Sequence, residues 1–173
     1  MKYFAALLII TLWLAPAFAQ GPPKPGPELQ KISYFVGNWT SEGDMKAGPM
    51  GPGGKVTIQE EGKWMDGGFF VVFHSTFKTA VGNGTGIALM GYDPQESVYT
   101  YDEFNSMGEA EHAKGTLDGD TWTYTAEEKM NGQTMNGRFT IKQLTPTSYS
   151  FKFEMSPPGG EFATVMDGKA TKK

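Results

Sequence analysis

Few residues in this sequence can do chemistry, and their identities narrow what that chemistry is. Among 173 residues there is no cysteine, two histidines and one arginine. Thiol nucleophiles, thiolate metal sites and disulfides are therefore excluded. Neither a Gly-x-Ser-x-Gly elbow nor a His-Glu-x-x-His run occurs, so two common hydrolase patterns are missing as well. His74 follows Phe73 and shares a face with Phe70 and Val72, which makes it a candidate for the interior of a barrel. A lone imidazole rarely makes a metal site, and a hydrogen-bonded structural histidine is the plainer role. His112 sits among Glu109, Glu111 and Lys114 and is expected on the surface.

Glu60 occupies an apolar-face position between Ile58 and Trp64. A carboxylate buried there needs a partner, because burying it alone is costly. Glu60, with Asp102 as the other choice, is the candidate polar anchor of an interior site. Arg138 has the planar fork that grips carboxylates in two-pronged geometry. Its neighbours Phe139 and Ile141 alternate with it, so it lies on the face opposite theirs; alternation leaves open whether that face is lumen or solvent. A cross-strand pair with a glutamate is the alternative. Met45 and Met50, and Met130 and Met135, share one spacing, and thioethers favour Cu(I). Methionine also fills core gaps, and nothing in the sequence brings the pairs together. Gly82-Asn83-Gly84-Thr85-Gly86 lacks the spacing of a dinucleotide fingerprint and precedes the strand-like Ile87–Tyr92. No metal and no cofactor is expected.

The elements that must hold these residues alternate with period two. Tyr149, Phe151, Phe153 and Met155 face one way while Ser148, Ser150, Lys152 and Glu154 face the other. The same rhythm runs through Val56–Trp64, Trp122–Glu127 and Met135–Lys142. Asp66-Gly67-Gly68, Asp93-Pro94, Asp118-Gly119, Asn131-Gly132 and Pro157–Gly160 punctuate the runs, with the turn chemistry of short hairpins. About ten strands joined this way make an up-and-down antiparallel sheet, and closing it into a barrel removes both edges. About ten strands enclose more room than the eight that side chains alone can fill. Lys46–Gly54 is too rich in glycine and proline for a strand and is expected as a flap or surface loop over one end. Pro27 and Glu28 start a short helix over Glu28–Phe35, with Leu29, Ile32 and Phe35 on one face.

Met1–Ala19 has the layout of a secretory signal. Lys2 is followed by the apolar run Phe4–Leu14 and the small-x-small site Ala17-Phe18-Ala19. The run is shorter than the ~20 residues that span a bilayer. The expectation is a periplasmic or secreted product cut after Ala19, with no stable membrane anchor. Gln20–Pro27 would be a disordered Pro/Gly linker and 28–173 a single domain. Loss of Lys2 takes the formal charge from −4 to −5. No basic stripe interrupts this acidity, so nucleic acid is excluded as a partner.

Phe35-Val36-Gly37-Asn38-Trp39 resembles the Gly-x-Trp of the calycin superfamily, the lipocalins and fatty-acid-binding-like barrels. That resemblance implies that Trp39 closes one barrel end under a long basic side chain from a late strand, with Gly37 at the strand entry. A longer series is similar to the bacterial family labelled domain of unknown function 1579. It includes Trp64–Phe70, Gly91-Tyr92-Asp93-Pro94, Asp118–Trp122 and Gly137–Thr140. The similarity runs from about Leu29 to Lys173 and implies a barrel without an assigned activity. Some ten-stranded calycin-like barrels hold haem through a histidine on a C-terminal strand, but Glu161–Thr171 contains none. The paired arginines of fatty-acid-binding barrels are missing too.

The function expected is binding of a small, largely apolar ligand inside the barrel. Glu60, Phe70, His74, Tyr101, Asp102 and Arg138 are the candidate lining residues. A barrel filled by its own side chains is the alternative. A weak hydrolase or isomerase using Glu60, Asp102 or Tyr101 is the third reading.

Overall fold

A computed structural model describes residues 24–48, 51–130 and 132–173. Within them the chain forms α1 (Pro27–Ile32), a 3₁₀ turn (Ser33–Phe35) and ten strands. These are β1 (Gly37–Met45), β2 (Gly54–Trp64), β3 (Val71–Thr79), β4 (Gly82–Asp93), β5 (Val98–Asn105), β6 (Ala110–Asp118), β7 (Thr121–Met130), β8 (Gln133–Thr145), β9 (Ser148–Ser156) and β10 (Ala163–Lys172). Each strand pairs antiparallel with its sequence neighbours, and β1 pairs with β10 from Trp39↔Lys172 to Met45↔Met166. The sheet is a closed ten-stranded up-and-down barrel, as the alternation and turn spacing predict.

Most turns follow their residue chemistry. Asp93 Oδ1 accepts from the backbone N–H of Gln95 and Glu96 at 2.8 and 3.2 Å, which fixes the β4–β5 connection. Gly48 and Gly51 exchange backbone hydrogen bonds of 2.9 and 3.0 Å, an isolated antiparallel bridge within the expected flap. Its central residues 49 and 50 lie outside the described residues, as does the expected signal segment. Gly54, expected in that loop, is the first residue of β2.

The expected single helix over Glu28–Phe35 is shorter and begins one residue earlier, at Pro27, the residue assigned to the linker's end. Proline at the first helical position and Glu28 in the first turn explain the start. At Ser33 the last turn tightens to 3₁₀, which brings Phe35 under the barrel with Leu29 and Ile32. There Phe35 meets Trp122 edge-on at 5.3 Å.

Four aromatic rings face glycines directly across the ladder on the inner wall: Phe73 opposite Gly62, Phe77 opposite Gly84, Tyr124 opposite Gly115 and Phe151 opposite Gly168. A Cβ on Gly115 would lie 2.5 Å from Tyr124 Cδ1, and one on Gly168 would lie 2.5 Å from Phe151 Cζ. The missing side chains let these rings rest on the neighbouring strand's backbone instead of standing into the lumen. Large rings thus pack against the inner wall.

Candidate functional site

The lumen has two ends of different character. At the α1 end, Trp39, Trp122, Tyr99 and Tyr149 are buried and packed ring to ring. Trp39 and Tyr149 stand 4.9 Å apart, and Tyr99 and Trp122 stand 4.6 Å apart. Polar atoms here mostly have partners. Trp39 Nε1 donates to Phe35 O at 2.9 Å, and Tyr34 donates its hydroxyl to Thr145 O and Ser148 O at 2.9 and 2.7 Å. Lys172 Nζ lies 5.0 Å from the centre of the Trp39 ring and donates to Tyr34 O at 2.9 Å. The basic side chain implied by the calycin resemblance is therefore Lys172. Two donors on the floor, Trp122 Nε1 and Tyr124 Oη, are buried without a partner.

Above that floor several inward side chains keep accessible surface. Ile58, Phe77, Met135, Phe139, Phe153 and Met166 all point inward by register and are all only partly buried. Among them stand four carboxylates. Glu60 on β2 pairs with Trp39 and Ser75, Glu103 on β5 pairs with Ala88 and Glu111, and Glu128 on β7 pairs with Met135. Tyr101 on β5 donates its hydroxyl to Glu103 Oε2 at 2.6 Å.

Electrostatics mark these groups. Burial, aided by the nearby Glu103 charge, pushes Glu60 up to about 7. Glu111 is pushed up to about 7 by burial and then by Glu128, Glu103 and Glu109, with His112 opposing. Burial and Glu109 raise Glu128 as well. Burial, then the charges of Glu103 and Glu60, push Tyr101 well above its ordinary value, so it is a neutral donor near neutrality. A carboxyl titrating near 7 in a lumen can hold or release a proton and can meet a polar ligand group. Among the described residues no group of three or more His, Asp or Glu stands in metal-holding geometry.

Of the six candidate lining residues, Glu60 and Tyr101 face the lumen. The other four face outward and must be reassigned. Phe73 takes the inward position, so His74 points outward and is exposed, opposite Glu61 and Ile87. Phe70 precedes β3 and covers Gly91 on the outer wall. Asp102 lies between the inward Tyr101 and Glu103, and pairs on the surface with His112, Oδ1 to Nδ1 at 2.6 Å. Arg138 makes the cross-strand pair with Glu154, 2.9 Å from Nη2 to Oε2, and covers the Phe162 ring at 3.9 Å. Burial of Glu154 works against its charge, yet Lys152 and Arg138 outweigh it and hold that carboxyl below its ordinary value. Glu103, Glu111 and Glu128 join Glu60 and Tyr101 on the inner wall, beyond the residues the sequence points to. The signal for them is parity: they continue the inward series of Tyr101, Ala113 and Ala126.

The family described as "Protein of unknown function (DUF1579)" matches residues 24–172. No curated protein matches the sequence. Among solved structures, the crystal structure of Rv2717c from M. tuberculosis superposes with a TM-score of 0.58 at 12% identity, covering 86% of this chain and 98% of that one. Likeness at that identity concerns the fold alone.

Proposed function

The chain belongs to the DUF1579 family of unknown function, and we propose that it is an exported carrier that holds a small, largely apolar molecule in the open half of its barrel. One observation carries this reading. Ile58, Phe77, Met135, Phe139, Phe153 and Met166 in that half point inward yet keep accessible surface, whereas Trp39, Tyr99, Trp122 and Tyr149 at the α1 end are buried. Phe77, seated opposite Gly84, and the methionines Met135 and Met166 give the wall of that half adaptable apolar surface. Removing about 300 Å² of apolar ligand surface from water supplies about 7 kcal/mol before the costs of association.

Native mass spectrometry of protein released from the periplasm under gentle conditions tests both halves of the proposal. The expected spectrum shows a chain beginning at Gln20 with a non-covalent small-molecule adduct that organic solvent removes. A chain retained in the cytoplasm with Met1 in place would overturn the export reading. A bare mature chain that also takes up no apolar probe would overturn the carrier reading.

A further inference from the structure

We propose that the ligand of the open chamber is an amphiphilic amine, an apolar chain or ring carrying a cationic nitrogen. The inference deepens the carrier reading and rests on it. Its ground is the charge inventory of the inner wall. Glu60, Glu103, Glu111 and Glu128 enter the chamber from β2, β5, β6 and β7. Among the described residues, Lys172 is the one basic side chain at an inward strand position, and its ammonium is already held at the opposite end by Tyr34 O and the Trp39 ring. Arg138 and Lys152 pair with Glu154 outside the lumen, and His112 is hydrogen-bonded to Asp102 on the outer surface.

Glu60 gives the independent pointer to a ligand. It lies deep in the lumen, its neighbours across the ladder are Trp39 and Ser75, and no described side chain offers it a hydrogen bond. A buried carboxylate in that position is relieved in one of two ways, by a proton or by a cation. Burial pushes Glu60 and Glu111 up to about 7, which favours the first way. A cationic ligand provides the second.

The arrangement selects the kind of cation. The carboxylates are spread over four strands and do not converge in metal-holding geometry. The rings of Phe77, Tyr101, Phe139 and Phe153 stand on the same inner wall, and aromatic faces attract alkylammonium groups. An apolar body with one ammonium fits this lining. A fatty acid of the same length would bring a fifth carboxyl group to it.

Calorimetric titration of the protein at pH 8 with three ten-carbon probes, each below its micellar concentration, tests the proposal: decyltrimethylammonium, decan-1-ol and decanoate. The cation is expected to bind about tenfold or more tighter than the alcohol, and decanoate weakest. Glu60→Gln and Glu128→Gln should each weaken the cation several-fold and leave the alcohol unchanged. Glu128 is the more peripheral of the two, so its variant answers the question if the Glu60 variant does not fold. Alcohol or decanoate binding as tightly as the cation overturns the amine and leaves the carrier reading intact. Equal losses for cation and alcohol in both variants overturn it in the same way. Failure of all three probes overturns both.

Discussion

The two ends of the barrel are built from the same alternation and do opposite things with it. At the α1 end the inward residues are rings, and most polar atoms among them have partners inside the protein, as Trp39, Tyr34 and Lys172 do. In the open half the inward residues include four carboxylates, and of these Glu103 alone has a described hydrogen bond from a lumen side chain, donated by Tyr101. One end spends its interactions on folding. The other holds carboxylates without a described partner, whereas the closed end leaves only the neutral donors Trp122 Nε1 and Tyr124 Oη unpaired among its described buried side-chain atoms. Unpaired charged groups are where sites for other molecules are found.

The largest effect should come from the closed end. Trp122 is fully buried against Phe35, Tyr99 and Tyr124. Trp122→Ala should cost about 3–5 kcal/mol in chemical denaturation. A loss under about 1 kcal/mol would show that this end is not the stabilising one.

The comparison predicts the opposite sign in the open half. Glu60 titrates at about 7 in the folded protein against an ordinary 4.5. Between those values the folded state keeps a proton that the unfolded state has lost, so stability falls as pH rises through this window and levels off above it. Glu60→Gln should therefore stabilise the protein at pH 8, by up to about 3 kcal/mol, and have little effect near pH 4. Thermal melts at the two pH values check this. Destabilisation at pH 8 would mean that the carboxylate has a partner after all.

A smaller effect separates the single inward cation from the acids. Lys172→Met removes the contact with the Trp39 ring and the bond to Tyr34 O. A loss of about 1–2 kcal/mol is expected in denaturant midpoints, with probe binding unchanged. Altered probe affinity would place Lys172 within reach of the chamber and blur the division between the ends.

How far the sequence disclosed this division depended on local contrast. Tyr149–Met155 alternates cleanly between large apolar and polar residues, and its faces, like the strand count and closure, were readable. Phe69–Phe73 is apolar at five consecutive positions, so period two has nothing to grip there and does not fix which way His74 points. At Tyr101-Asp102-Glu103 two adjacent acids compete for one inward place, and the parity of Tyr99 and Tyr101 decides for Glu103. Glu111 and Glu128 do not stand out in the sequence, because charged residues belong outside by default. Inward glycines were legible as residues but not as ring seats, since the partner ring lies on another strand and only the register reveals it.

The most direct test of the account fills the chamber. Ser75 faces inward beside Glu60, and its neighbour Thr76 faces solvent on the same strand. Titration with the apolar fluorophore N-phenyl-1-naphthylamine should show saturable binding to the protein and unchanged binding to Thr76→Trp. Affinity for Ser75→Trp should fall at least about tenfold, with a cooperative melt retained. Binding to Ser75→Trp as strong as to the unaltered protein would contradict the account, because the probe would then be lodged somewhere other than the open half of the barrel.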